Sequence, residues 1–161
     1  MDGSGSNILA GTVADYLYFS NDYGGAWTQL PGTNYGWKSV KVPYSGMPFV
    51  ACNDSNTPYL SYDGYSWVTR TLSGTNTIGS AAVSHDGSVI MLTGYGTQLF
   101  VSRDYGASFT AADVLDYQNW CQVSLSSTGN RACALSMGTY SSLGVYSAPS
   151  TLTGNMFHFF P

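Results

Sequence analysis

Not one glutamate occurs in this chain of 161 residues, and lysine and arginine together number only five. Those five, Lys38, Lys41, Arg70, Arg103 and Arg131, are scattered and form no stripe that could follow a phosphate backbone. Nucleic acid is therefore not an expected partner. Charged residues make up 9% of the chain against 15% aromatics, the reverse of a disordered segment. No apolar run approaches the roughly 20 residues of a membrane span, so membrane insertion is not expected. The start, MDGSGSNILAG, has neither a basic region nor a long apolar core, so no signal peptide is visible. Residues 1–6 read as a flexible lead-in or as the cut end of a longer protein.

Cysteine is scarce too. Cys52, Cys121 and Cys133 are odd in number and lack metal-ligand spacing, so neither a metal nor a cofactor is expected. Cys121 and Cys133 flank a turn expected near Ser127 to Gly129, about two residues out of register for direct opposition. A bridge between them and buried thiols within strands are the two readings, and the second is preferred.

What the chain does have is a repeat. SNDYGGAW begins at Ser20, SYDGYSW at Ser61 and SRDYGASF at Ser102, each 41 residues after the last. A period of this length points to solenoids, propellers or arrays. A short strand-like run precedes each motif: Tyr16 to Phe19, Pro58 to Leu60, Gln98 to Val101. Before those come NILAG, MPFVAC and SVIMLTG, apolar at successive positions and so apolar on both faces of a sheet. Earlier still come WKSVKV, IGSAAVS and WCQVSLS, and SHDGS and SSTGN fit tight hairpin turns.

Four short strands per unit give an all-β chain, a β-propeller of about four four-stranded antiparallel blades. No segment carries the 3.6-residue apolar period of a helix. The expected organisation is one domain over 7–161, with repeats near 7–36, 37–77, 78–119 and 120–161. The chain starts on a second strand, so Met156 to Phe160 is expected to supply the missing first strand of blade one. It would do so within one chain or in a neighbouring one, since an exposed MFHFF edge invites aggregation.

Ser-x-Asp-x-Gly-x-x-aromatic, between a third and a fourth strand, resembles the Asp-box or BNR repeat of sialidases, related glycosidases, lectins and photosynthetic assembly factors. Repeats one and three match through Ser20, Asp22, Gly24 and Trp27, and through Ser102, Asp104, Gly106 and Phe109. The second, with Ser61, Asp63, Gly64 and Trp67, is one residue shorter. A fourth, around Ser147, lacks the Asp. The residue types fit a scaffold: Asp accepts backbone N–H groups, Gly supplies positive φ, and the aromatic is expected to bury itself between sheets. The resemblance also implies more than four blades, hence either assembly of chains into a homo-oligomer or larger ring, or excision from a longer protein.

Sialidase chemistry needs a Tyr activated by a Glu and an Arg triad. With no Glu, and with Arg103 inside a turn motif, neither can be built, so the expectation is of no enzyme and no catalytic residue. His85 belongs to a hairpin turn and His158 to a terminal aromatic run.

In a propeller the blade-linking loops lie opposite the Asp-box hairpins. Here they read LPGTNYGW, LSGTNTIG and LDYQNW. Asn34, Tyr35, Trp37, Asn76, Tyr95, Tyr117, Asn119 and Trp120 are the candidates for carbohydrate binding. Aromatic faces stack on sugar C–H surfaces while amides meet hydroxyls, and little charge suits a neutral sugar. The competing reading makes them ordinary turn residues, with Trp37 and Trp120 in the core. The expected function is a recognition or display module binding a glycan or a glycosylated surface, in an extracellular, cell-surface or virion setting. The alternatives are a protein-interaction scaffold and a piece of a glycosidase propeller. Asn53-Asp54-Ser55 also forms a glycosylation sequon.

Overall fold

The computed structural model describes residues 1–33, 35–53, 55, 57–73, 77–96, 98–112, 119–137, 143–147 and 156–160, the last two stretches as backbone. It is all-β, with four antiparallel sheets and no helix among the described residues. Sheet one holds β1 (Ile8–Gly11), β2 (Leu17–Ser20) and β3 (Thr28–Gln29). Sheet two holds β4 (Trp37–Lys41), β5 (Phe49–Asn53), β6 (Tyr59–Ser61) and β7 (Trp67–Thr69). Sheet three holds β8 (Thr77–Val83), β9 (Ile90–Tyr95), β10 (Phe100–Ser102) and β11 (Thr110–Ala111). Sheet four holds β12 (Trp120–Leu125), β13 (Arg131–Ser136), β14 (Leu143–Ser147) and β15 (Met156–Phe160). Within each sheet the strands follow chain order, so every connection is a hairpin.

The sheets stack face to face in sequence, β1 against β4, β4 and β5 against β8, and β8 and β9 against β12. Three apolar cores lie between them. Leu9, Leu17 and Phe19 meet Trp37, Phe49 and Ala51; Val50, Cys52 and Leu60 meet Ile78, Ile90 and Leu92; Met91, Leu99 and Val101 meet Trp120, Val123, Ala132 and Ala134. Strands β5 and β9 are sandwiched, which explains their unbroken apolar runs. Strand β13 is covered on one face only and alternates between buried and exposed.

Two expectations are corrected. Met156–Phe160 does not complete sheet one: it pairs with β14, from Leu143↔Phe160 to Ser147↔Met156, as the outermost strand of sheet four. The hairpin within its own unit is the shorter loop to close, and a local pairing wins. Sheet one keeps three strands, and no packing like that between successive sheets joins sheet four to sheet one among the described residues. The thiols are free, and only Cys52 is buried; Cys133 is exposed. Burial pushes the Cys52 thiol up to about 12.

Residues 2 to 5, within the expected lead-in, repeat the hairpin turn that joins first to second strand in the other sheets. Gly5 N donates to Asp2 O as Gly46 N does to Pro43 O, Gly87 N to Ser84 O and Gly129 N to Ser126 O. All four glycines have positive φ, between 68° and 98°. These turns also bond to one another. Gly3 N donates to Tyr44 O at 2.9 Å, Ser45 N to His85 O at 3.0 Å, and His85 N to Ser127 O at 2.8 Å.

Candidate functional site

Both ends of the stack carry chemistry-bearing residues. At the turn end the three Ser-x-Asp motifs are built alike. In each, the Ser hydroxyl donates to Asp Oδ1, between Ser20 and Asp22 at 2.8 Å, Ser61 and Asp63 at 3.1 Å, and Ser102 and Asp104 at 2.7 Å. The same Ser oxygen accepts the N–H of Gly24, Gly64 or Gly106 at 2.8–2.9 Å. The carboxylates accept backbone N–H groups further on, from Ala26, from Tyr65 and Ser66, and from Ser108. The N–H of Ser66 and Tyr65 hold Asp63 down to about 2; the hydroxyl and N–H of Ser108 do the same for Asp104. Their lone pairs serve the backbone, so the motifs have little left for a ligand.

The one-residue difference of the second motif now has a cause. Tyr23 and Tyr105, with φ of 62° and 59°, are the extra left-handed residues before Gly24 and Gly106, whereas in the second motif Gly64 follows Asp63 directly. The motif aromatics differ as well. Trp67 and Phe109 pack against the cores shared with the preceding sheet, but Trp27 is 45% exposed. Among the described residues no sheet packs on that side of sheet one, and the expected burial of Trp27 is not met.

The linking-loop end is where carbohydrate was expected. Trp37 and Trp120 are 3% and 2% exposed; Trp37 donates Nε1–H to Thr33 O at 2.9 Å. Both are core residues and offer no face to a ligand. Tyr35 is different: it is 42% exposed and lies edge-on to Trp37, with ring centroids 5.7 Å apart. Its ring also meets Tyr59, at 5.3 Å and 38°. Tyr59 is half-buried, and burial, then its hydrogen bond with Tyr35, raises its phenol above the usual range while Asn53 acts the other way. Tyr35, Tyr59 and Asn53 thus bring two hydroxyls and an amide to one spot. Tyr95 is 49% exposed, and Asn119 accepts the N–H of Gly96 through Oδ1 at 3.0 Å. Asn34, Asn76 and Tyr117 lie outside the described residues. Tyr59 and Asn53 were missed; they sit at the ends of β6 and β5, where a strand position masks a place beside the loop. Asn53, the asparagine of the sequon, is buried and accepts the Ser55 hydroxyl.

The loops here interlock as the turns do at the other end. Trp37 N donates to Thr12 O, and Ile78 N to Ser55 O. With the Gly96–Asn119 bond, the loops between second and third strands of sheets one to three are each tied to the entry of the next sheet. Among the described residues no group of three His, Cys, Asp or Glu could hold a metal ion. A depression of about 220 Å³ at the third Ser-x-Asp motif is lined by Val101, Arg103, Asp104, Ser108 and Thr110, and the Asp104 carboxylate in it already accepts the hydroxyls of Ser102 and Ser108.

No family model matches the chain. No curated protein matches it either. Among solved structures it is similar to a chain described as Kuenenia stuttgartiensis hydrazine synthase. The TM-score is 0.74 at 14% identity, over 91% of this chain and 44% of that one. This chain therefore spans less than half the length of its structural neighbour, and at that identity the likeness is one of fold. It corrects the expectation of no enzyme. That expectation was drawn from missing sialidase residues, and the fold recurs in a protein named as a synthase, where sialidase chemistry is no guide. No reaction passes to this chain by that likeness.

Proposed function

We propose that the chain is a four-bladed Asp-box propeller unit that recognises neutral carbohydrate at its linking-loop end. The single observation that carries the reading is the packing of the exposed Tyr35 ring against Tyr59. An exposed aromatic face with the two phenol hydroxyls beside it matches a sugar ring that presents C–H on one side and hydroxyls at its rim. The 41-residue repeat and the shared Ser-x-Asp hydrogen bonds support the Asp-box and propeller assignment. A glycosylated surface, of a cell or a virion, is the setting such a module serves.

A second reading, a protein-interaction scaffold, draws on the turn end, where Tyr23 and Tyr105 are 72% and 49% exposed. Titration with neutral oligosaccharides, followed by intrinsic fluorescence, separates the two. Binding that weakens at least about tenfold, or 1.4 kcal/mol, in Tyr35→Ala supports carbohydrate. Binding unaffected by Tyr35→Ala, or none at all, removes it.

A further inference from the structure

Each inner boundary of the stack joins two distinct faces. The forward face of one sheet, carrying Leu9 in sheet one, Val50 and Cys52 in sheet two, and Met91 in sheet three, meets the backward face of the next. Backward faces carry Phe49 and Ala51, then Ile90 and Leu92, then Ala132 and Ala134. By position after the turn glycine, Ile8 and Ala10 are the backward-face residues of sheet one, and Cys133 and Leu135 the forward-face residues of sheet four. Among the described residues no sheet packs on these two faces. Ile8 and Ala10 are only partly buried, Cys133 is exposed and Leu135 is 44% exposed.

Two independent features carry the same message. Trp27 is exposed on the backward side of sheet one, whereas Trp67 and Phe109 are packed on the sheet before them. The ladder of turn hydrogen bonds also ends open in a complementary way. It runs from Gly3 through Tyr44, Ser45 and His85 to Ser127, so among the described residues the Ser127 N–H and the Gly3 carbonyl have no backbone partner. One end offers a donor where the other offers an acceptor.

We infer that the chain binds a second copy of itself head to tail, sheet four of one copy packing on sheet one of the next. The contact is heterologous, so successive copies either close into a ring or grow into a filament. It continues an interface the chain already forms three times, with Leu135 and Cys133 covering Ile8, Ala10 and Trp27, and Ser127 N–H donating to Gly3 O. The inference rests on sheet packing alone and does not depend on the carbohydrate reading.

Light scattering of the full chain across a wide concentration range tests it, with two single variants, Leu135→Asp and Trp27→Asp. Each residue is about half exposed, so folding is expected to survive, which circular dichroism and melting curves check. The wild type is expected at a multiple of the single-chain mass, and each variant alone at the single-chain mass. Mixed one to one, the variants leave one intact pair of unlike faces and yield a two-chain species. In the wild type itself, Cys133 should react more slowly with a thiol reagent as concentration rises. A wild type that stays single at every concentration, a variant that still assembles, a mixture that stays single, or Cys133 reactivity independent of concentration overturns the inference.

Discussion

Ser102 donates its hydroxyl proton to Oδ1 of Asp104 at 2.7 Å while the same oxygen accepts the N–H of Gly106 at 2.8 Å. Ser102 is 1% exposed, so its side chain satisfies a buried backbone donor that no strand partner reaches. Ser102→Ala leaves that N–H unpaired and is expected to lower stability by about 1–3 kcal/mol, read from urea unfolding. Gly106→Ala should do more damage. Its φ is 87°, and a Cβ there would run into Leu60 of the preceding sheet.

Tyr23 holds a left-handed backbone at φ 62° and is 72% exposed. Any side chain with a Cβ strains that conformation by about 1 kcal/mol, and Asn tolerates it better than Tyr. Tyr23→Asn is therefore expected to raise the melting midpoint. A lowered midpoint would mean that the tyrosine ring contributes contacts that outweigh the strain.

Asp63 and Asp104 ionise at about 2 in the folded chain against an ordinary 3.8. Depressed carboxyls stabilise the fold fully above the unfolded value, and that contribution is lost as pH falls from about 4 toward 2. Carboxyl NMR titration should give midpoints near 2 for both residues, with unfolding setting in over the same window. Midpoints at the ordinary value would contradict the hydrogen bonding described for the two turns.

Cys52 is fully enclosed and its thiol is pushed up to about 12, so it should stay unreactive toward thiol reagents at mildly alkaline pH until the chain unfolds. Reaction of all three thiols in the folded chain would place Cys52 outside the core.

Trp37 and Tyr35 stand two residues apart yet have opposite roles. Trp37→Ala empties a core site and is expected to cost about 3–5 kcal/mol of stability. Tyr35→Ala removes a half-exposed ring that rests on Trp37 and Tyr59 and is expected to lower the melting midpoint much less than Trp37→Ala does.

The repeat made most of this fold legible in the sequence. Strands such as β5 and β9, apolar at successive positions over Phe49 to Cys52 and Ile90 to Leu92, announce a sheet covered on both sides, and the Ser-x-Asp spacing locates each outer turn. The turn at residues 2 to 5 was hidden because Asp-Gly-Ser-Gly has the composition of a linker; only its bonds to Asn7 and Tyr44 reveal it as one of four equivalent turns. The burial of Trp37 and Trp120 could not be read from loop composition, since the first residue of an inner strand looks the same whether it points to core or to solvent. The exposure of Trp27 has the opposite cause. Local pattern specifies an aromatic that packs on a preceding sheet, and no residue in the motif records whether that sheet exists. Tyr59 was missed because its neighbour Tyr35 comes from a different sheet connection, 24 residues earlier.

The claim that Tyr35 and its neighbours form a carbohydrate site is tested most directly on a glycan array with wild type, Tyr35→Ala and Tyr105→Ala side by side. The expected result is binding of neutral glycans by the wild type and Tyr105→Ala, and its loss in Tyr35→Ala. No neutral glycan bound by the wild type, or equal binding by Tyr35→Ala, would contradict it.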